Sequence, residues 1–185
     1  MAITTADLSP EESIKEQLGT YIMESQTHFA QSSQQGVERL VPHLTNKRVV
    51  DLGCGDGAST KFFTEHGVKV IGVDINQEKL DLNQTATICD DMVSYLKKQP
   101  DNSIPNIFCH HALEHLPNPQ EVLDLISKKL PTGGVIYIEV PDEGAPHEVH
   151  HASFGSAEDL LPEGFEVVEQ NTENGEHYLI ARKNG

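Results

Sequence analysis

A doubly wound α/β domain on a mostly parallel sheet is the fold this sequence predicts, and three observations predict it. From Arg48 onward, short apolar and β-branched runs alternate with amphipathic stretches, the pattern of strands joined by helical crossovers. The first run, Val49-Val50-Asp51-Leu52, opens into Gly53-Cys54-Gly55-Asp56-Gly57-Ala58, a glycine-spaced turn that lets backbone N–H groups come close to a ligand. The chain closes on two runs, 164–169 and 177–181, joined by a polar loop over 171–175, which reads as an antiparallel hairpin.

The elements follow in order. Ser9-Pro10-Glu11-Glu12 is a helix start, with a cap, proline at the first position and acids in the first turn. Helical character then runs to about Leu44, with Leu18, Tyr21, Ile22 and Phe29 as inward positions and an interruption over 32–36. Strands are predicted over 48–52, 69–74, 87–89, 106–109 and 134–140. Helices are predicted over 59–66, 77–84, 92–98 and 120–129, and Pro131-Thr132-Gly133-Gly134 makes the turn into the fifth strand. The stretch between Asp74 and Asp90 leaves its helix room for about two turns.

The 185 residues fit a single domain, with residues 1–45 as a helical segment covering the site and 46–185 as the ligand-binding body. With 13 basic against 29 acidic residues, the net charge of −16 argues against a nucleic-acid partner and against an anionic membrane surface. Cys54, Cys89 and Cys109 are odd in number and scattered, the mark of reduced thiols rather than a disulfide framework. With no membrane-length apolar run and no signal-peptide pattern, the expected location is the cytoplasm, as a monomer or homodimer.

In a parallel sheet, ligands lie at the carboxyl ends of the strands. Asp51 closes the first strand, Asp74 the second, Asp90-Asp91 follows the third and His110-His111 the fourth. The spacing suits one nucleoside lying across adjacent strand ends. Gly53 to Ala58 formally fits the dinucleotide pattern G-x-G-x-x-A, but Asp51 and Asp56 would repel a pyrophosphate. They would attract the sulfonium and ammonium of S-adenosylmethionine.

DLGCGDG, VIGVDIN, CDDM and HHALEHLPNPQEVLDLISKKLPTGGVIYIEVP, in that order, resemble the class I S-adenosylmethionine-dependent methyltransferases, in the small-molecule branch that includes quinone and sugar methyltransferases. The likeness runs from about Val49 to Val168. It implies a Rossmann-like sheet of seven strands, order 3-2-1-4-5-7-6, with the last strand antiparallel. It further implies that Gly53, Cys54, Gly55 and Gly57, with Asp51, meet the methionine part of the cofactor. Asp74 would take the ribose hydroxyls with Ile75 beside it, and Asp90 and the backbone of Asp91 would meet adenine. Leu113-Glu114-His115, opening the helix after the fourth strand, would lie beside the cofactor together with His110. The implied reaction is methyl transfer to an O, N or C acceptor on a small molecule.

The histidines are candidate general bases: His110, His111 and His115 by position, with His147, His150 and His151 arriving from the loop after the fifth strand. His147-Glu148-Val149-His150-His151 fits H-E-x-x-H, but that motif holds zinc only on a helix, and this stretch follows Gly144-Ala145-Pro146. No metal is expected. The alternative is a set of Glu114, His115, His150 and His151, which with His111 resembles the ligands of metal-dependent small-RNA 2′-O-methyltransferases, although those have Glu in place of His111. Tyr21, Met23 and His28 are candidates for the acceptor pocket. A metal-assisted RNA-end methyltransferase and a non-catalytic cofactor-binding module are the competing functions.

Overall fold

A computed structural model describes residues 29–142 and 150–185. The expected helix start at Ser9, the inward positions Leu18, Tyr21 and Ile22, and Met23, His28 and His147 lie outside the described residues. Seven strands form one sheet: β1 (Arg48–Leu52), β2 (Lys69–Asp74), β3 (Ala86–Cys89), β4 (Asn106–His110), β5 (Val135–Pro141), β6 (Phe165–Glu173) and β7 (Glu176–Lys183). Their order is β3-β2-β1-β4-β5-β7-β6, with β7 antiparallel to both neighbours, as the sequence predicts. Helices α1 (29–40), α2 (Ala58–Glu65), α3 (Gln77–Leu80), α4 (Met92–Lys98) and α5 (Pro119–Lys129) cover it. Among the described residues no helix is long and apolar enough to cross a membrane.

The central strands are buried on both faces, so they read as continuous apolar runs. Side-chain alternation divides them between two cores. Val49, Val70, Phe108, Val135 and Tyr137 pack with Val37 and Leu40 of α1 and Phe63 of α2. Val50, Val73, Ile107, Ile136 and Ile138 pack on the other face with Leu96 of α4 and Ile126 of α5. Phe108 anchors the first core, edge-on to Phe63 and stacked on Tyr137 with centroids 5.1 and 4.9 Å away.

Four expectations are corrected. Helix α1 runs through 32–36 without a break. Its small and polar residues are its packed face: Ser32 and Ser33 are buried, and Gly36 lies so close to Tyr137 that a Cβ there would stand 3.0 Å from the ring. Phe29 is not an inward core position; it is 43 % exposed, at the edge of the cleft described below. Helix α3 has only one turn, because Asn83 leaves the helix to bind Thr60 and the Thr85 N–H. The hairpin loop is two residues, not five. Asn174 and Gly175 both have positive φ, the geometry of a two-residue turn matched to strand twist, and 171–173 pair in the sheet.

Candidate functional site

The glycine turn after β1 is held by β2 next to it. The N–H groups of Gly53 and Cys54 donate to the Val73 carbonyl at 2.7 and 3.2 Å, and Gly55 N–H donates to Asp74 Oδ2 at 2.9 Å. Gly53, Gly55 and Gly57 all have positive φ, but only one opens outward. A Cβ on Gly53 would lie 2.5 Å from that of Ala112, and one on Gly57 would strike Asn83 at 2.6 Å. A Cβ on Gly55 would meet nothing nearer than Lys79 Cδ at 3.9 Å. The space beyond it is a cleft of about 950 Å³ running along the strand ends.

Five carboxylates line this cleft, from Asp56, Asp74, Asp90, Asp91 and Glu114. Asp74 also accepts from Asn76 N–H at 2.8 Å, so its two oxygens brace the loops on either side. Each oxygen keeps a second lone pair for a ligand. Asp90 pairs with Lys98 Nζ at 2.6 Å. Asp91 caps α4 through Ser94 N–H at 2.8 Å, and hydrogen bonds to Ser94 hold its carboxyl below the usual range. Ile75, 72 % exposed, and Met92 give the same end of the cleft apolar surface.

Asp51, Gly57 and His110 do not line the cleft. Asp51 is fully buried and accepts from Ser59 Oγ, and burial pushes its carboxyl up to about 7. Burial thus weakens its ionisation, and its carboxyl faces Ser59 rather than the cleft. The ring of His110 is buried, with Nε2 2.9 Å from Ser32 Oγ and Nδ1 3.4 Å from Ser33 Oγ, so α1 seals it from the cleft. Cys54 lines the cleft, and burial pushes its thiol up.

His111 stands in the cleft wall with positive φ. Burial disfavours its charge, but Glu114 and Glu176 override burial and raise it to about 10. Its Nδ1 is 3.4 Å from Glu114 and its Nε2 3.1 Å from Glu176. The two carboxylates favour its charged form, which argues against His111 as the residue that takes a proton from an acceptor. His115 is half-exposed and keeps access to the cleft. Leu113–His115 is a separate 3₁₀ turn rather than the opening of α5, which starts afresh at Pro119.

Sequence reading missed Glu139, Glu176 and Ser32. Glu139 pairs with His110 in register, and Ser32 and Tyr137 donate to it inside the protein. An acid within the apolar run Ile136-Tyr137-Ile138-Glu139-Val140 was the available signal. Behind His111, Ser32, Arg39, Glu139, Glu176 and Tyr178 border a second cavity of about 180 Å³.

The model of a family described as a methyltransferase domain matches residues 25–174. A ubiquinone biosynthesis O-methyltransferase from Dechloromonas aromatica (strain RCB) is 30 % identical over 103 residues, 51 % of this chain and 44 % of that protein. A trans-aconitate 2-methyltransferase from Rhizobium rhizogenes is 33 % identical over 109 residues, 55 % of this chain and 41 % of that protein. The matched segments thus span less than half the length of these curated relatives. The crystal structure of an S-adenosylmethionine-dependent methyltransferase from Archaeoglobus fulgidus superposes with a TM-score of 0.70 at 22 % identity, over 88 % of this chain and all of that one. With the family match spanning most of its length and the sheet order in agreement, the chain belongs to the class I S-adenosylmethionine-dependent methyltransferases.

Proposed function

We propose that the chain transfers a methyl group from S-adenosylmethionine to an acceptor on a small molecule, with the donor lying along the ends of β1, β2 and β3. The observation that carries this is Gly55, the one glycine of the turn after β1 that opens outward, whose N–H is tied to Asp74 at the head of an acid-lined cleft. The residues present fit the cofactor. Gly53, Cys54 and Gly55 would underlie the methionine part, Asp74 would accept from the ribose hydroxyls, and Ile75 with Asp90 and Asp91 would flank adenine. Asp51 and Gly57 shape the turn from behind, and His110 fixes the floor under His111. Residues 1–45 would cover the cofactor and acceptor, a role supported by Phe29 and Ala30 at the cleft edge.

Bound there, S-adenosylmethionine supplies a methyl on a sulfonium, an electrophile for in-line displacement. The chain's part is to orient the acceptor and exclude water, which accounts for much of the barrier reduction in such transfers. His115, which lines the cleft beside His150, would take a proton from an acceptor that still holds one. The relatives' names point to quinone-type and acid acceptors. Five carboxylates facing Lys79 and His111 disfavour a polyanion such as trans-aconitate.

Two measurements test the reading. S-adenosylmethionine at 100 times its Kd is expected to stabilise the fold by about 2.7 kcal/mol, a rise in melting temperature of roughly 5–10 °C. Labelled methyl is expected to pass from it into a metabolite fraction. A rise with NADH and none with the methyl donor would replace this reading with a nicotinamide site.

A further inference from the structure

We propose that Lys79 binds the carboxylate at the amino-acid end of S-adenosylmethionine, and so makes the chain select a methyl donor that carries this group. The proposal rests on the methyltransferase reading and deepens it at the cofactor end of the cleft.

S-adenosylmethionine brings two positive groups, the sulfonium and the ammonium, and one negative group, the carboxylate. Five carboxylates line the cleft, so the positive groups find partners there and the cofactor's own carboxylate is repelled unless a cation meets it. Among the described residues that line the cleft, Lys79 is the one lysine or arginine. It makes no ion pair with a carboxylate of the described residues, whereas Lys98 is held by Asp90 at 2.6 Å. His111 is committed elsewhere, with Nδ1 3.4 Å from Glu114 and Nε2 3.1 Å from Glu176. His115 and His150 lie edge-on to each other beyond β4, across β1 from Asp74, with ring centroids 4.9 Å apart.

The place of Lys79 follows from how α3 is held. Asn76 Oδ1 accepts from the Lys79 backbone N–H at 3.1 Å. Asn76 N–H in turn donates to Asp74 Oδ1 at 2.8 Å, and the other Asp74 oxygen accepts from Gly55 N–H at 2.9 Å. Beyond the end of α3, Asn83 reaches back to the same turn, with Nδ2 3.7 Å from Cys54 Sγ and Oδ1 accepting from Thr60 Oγ1 at 3.1 Å. Both ends of α3 are thus tied to the glycine turn, and the lysine stem lies over the open face of Gly55. Lys79 Cδ is the nearest atom to a Cβ built there, at 3.9 Å. That face is where the methionine part would rest. An ammonium on a flexible stem, with three N–H donors, suits a carboxylate at this spot. The carboxylate takes no part in the bond changes, so Lys79 serves ground state and transition state equally. Its loss raises KM for the methyl donor and leaves kcat unchanged.

The test uses the full chain and calorimetry with two ligands: S-adenosylmethionine, and its decarboxylated form, which lacks only the carboxylate. Lys79→Met is expected to weaken S-adenosylmethionine binding at least about tenfold, while the decarboxylated form binds no more weakly than to the wild-type chain. The cap on α3 uses the backbone N–H, so the variant is expected to keep the wild-type unfolding midpoint. Lys79→Arg is expected to restore most of the lost affinity. Lys69→Met removes the same charge at the start of β2, the end of that strand away from the cleft, and is expected to bind both ligands as the wild type does. Undiminished affinity for S-adenosylmethionine in Lys79→Met overturns the proposal. So does an equal loss for both ligands, or a loss of the same size in Lys69→Met. A wild-type chain that binds neither ligand overturns the cofactor reading itself, and the role of Lys79 with it.

Discussion

Valine at position 55 is expected to weaken S-adenosylmethionine binding at least about 100-fold, a loss of roughly 2.7 kcal/mol, while the domain still unfolds cooperatively. The φ of Gly55 is +53°, so any side chain there costs about 1–2 kcal/mol of backbone strain. The folded chain offers no clash beyond that, because the nearest atom to the new Cβ is 3.9 Å away at the end of a flexible lysine. The branched side chain instead occupies the space where the turn meets its ligand. Gly53→Val is the instructive contrast. Its Cβ would collide with Ala112, so lost binding there would report a damaged fold. Asp74→Ala attacks the same turn from the other side by removing the acceptor for Gly55 and Asn76 N–H, and at least a tenfold loss of affinity is expected. Calorimetry showing undiminished affinity in Gly55→Val and Asp74→Ala would remove the cofactor from this end of the cleft.

The acids and glycines of that end were legible because their signals are local. A β-branched run that stops at an acid and then a glycine turn locates a strand end without knowledge of what packs against it, and β1, β2 and α4 have the predicted boundaries. Polar residues used for long-range packing were not legible. Ser32, Ser33 and Gly36 read as a break because their partners, His110, Glu139 and Tyr137, come from strands far along the chain. Asn83 looked like a helical position, and its contact with Thr60 at 3.1 Å depends on how β2 and α2 pack. The charge on His111 depends on Glu176 at the start of β7, which only the sheet order brings near. Asn174-Gly175 did carry a local signal, but the polar edge of β6 concealed how far pairing extends.

Asp51→Asn is expected to remove a pH dependence of stability that the wild-type chain carries between about pH 4 and pH 7. In the unfolded chain the Asp51 carboxyl ionises near its ordinary 3.8, and in the folded chain near 7. Burial is the main cause, and the Asp74 charge adds to it against the Ser59 hydrogen bond. The thiols of Cys54 and Cys109, raised in part by Asp51, stay neutral throughout. Between those two pH values unfolding releases a proton, so stability falls as pH rises through the window and levels off above 7. A carboxyl raised this far accounts for at most about 4 kcal/mol. Asparagine accepts from Ser59 in the same way and has no proton to lose. The variant's stability relative to wild type should therefore climb by a few kcal/mol between about pH 4.5 and about pH 8, measured by denaturant unfolding at each pH. Parallel profiles would mean that Asp51 is ionised inside the fold. Its charge would then act on the sulfonium from behind the turn, and the turn would owe its shape to charge rather than to the hydrogen bond with Ser59.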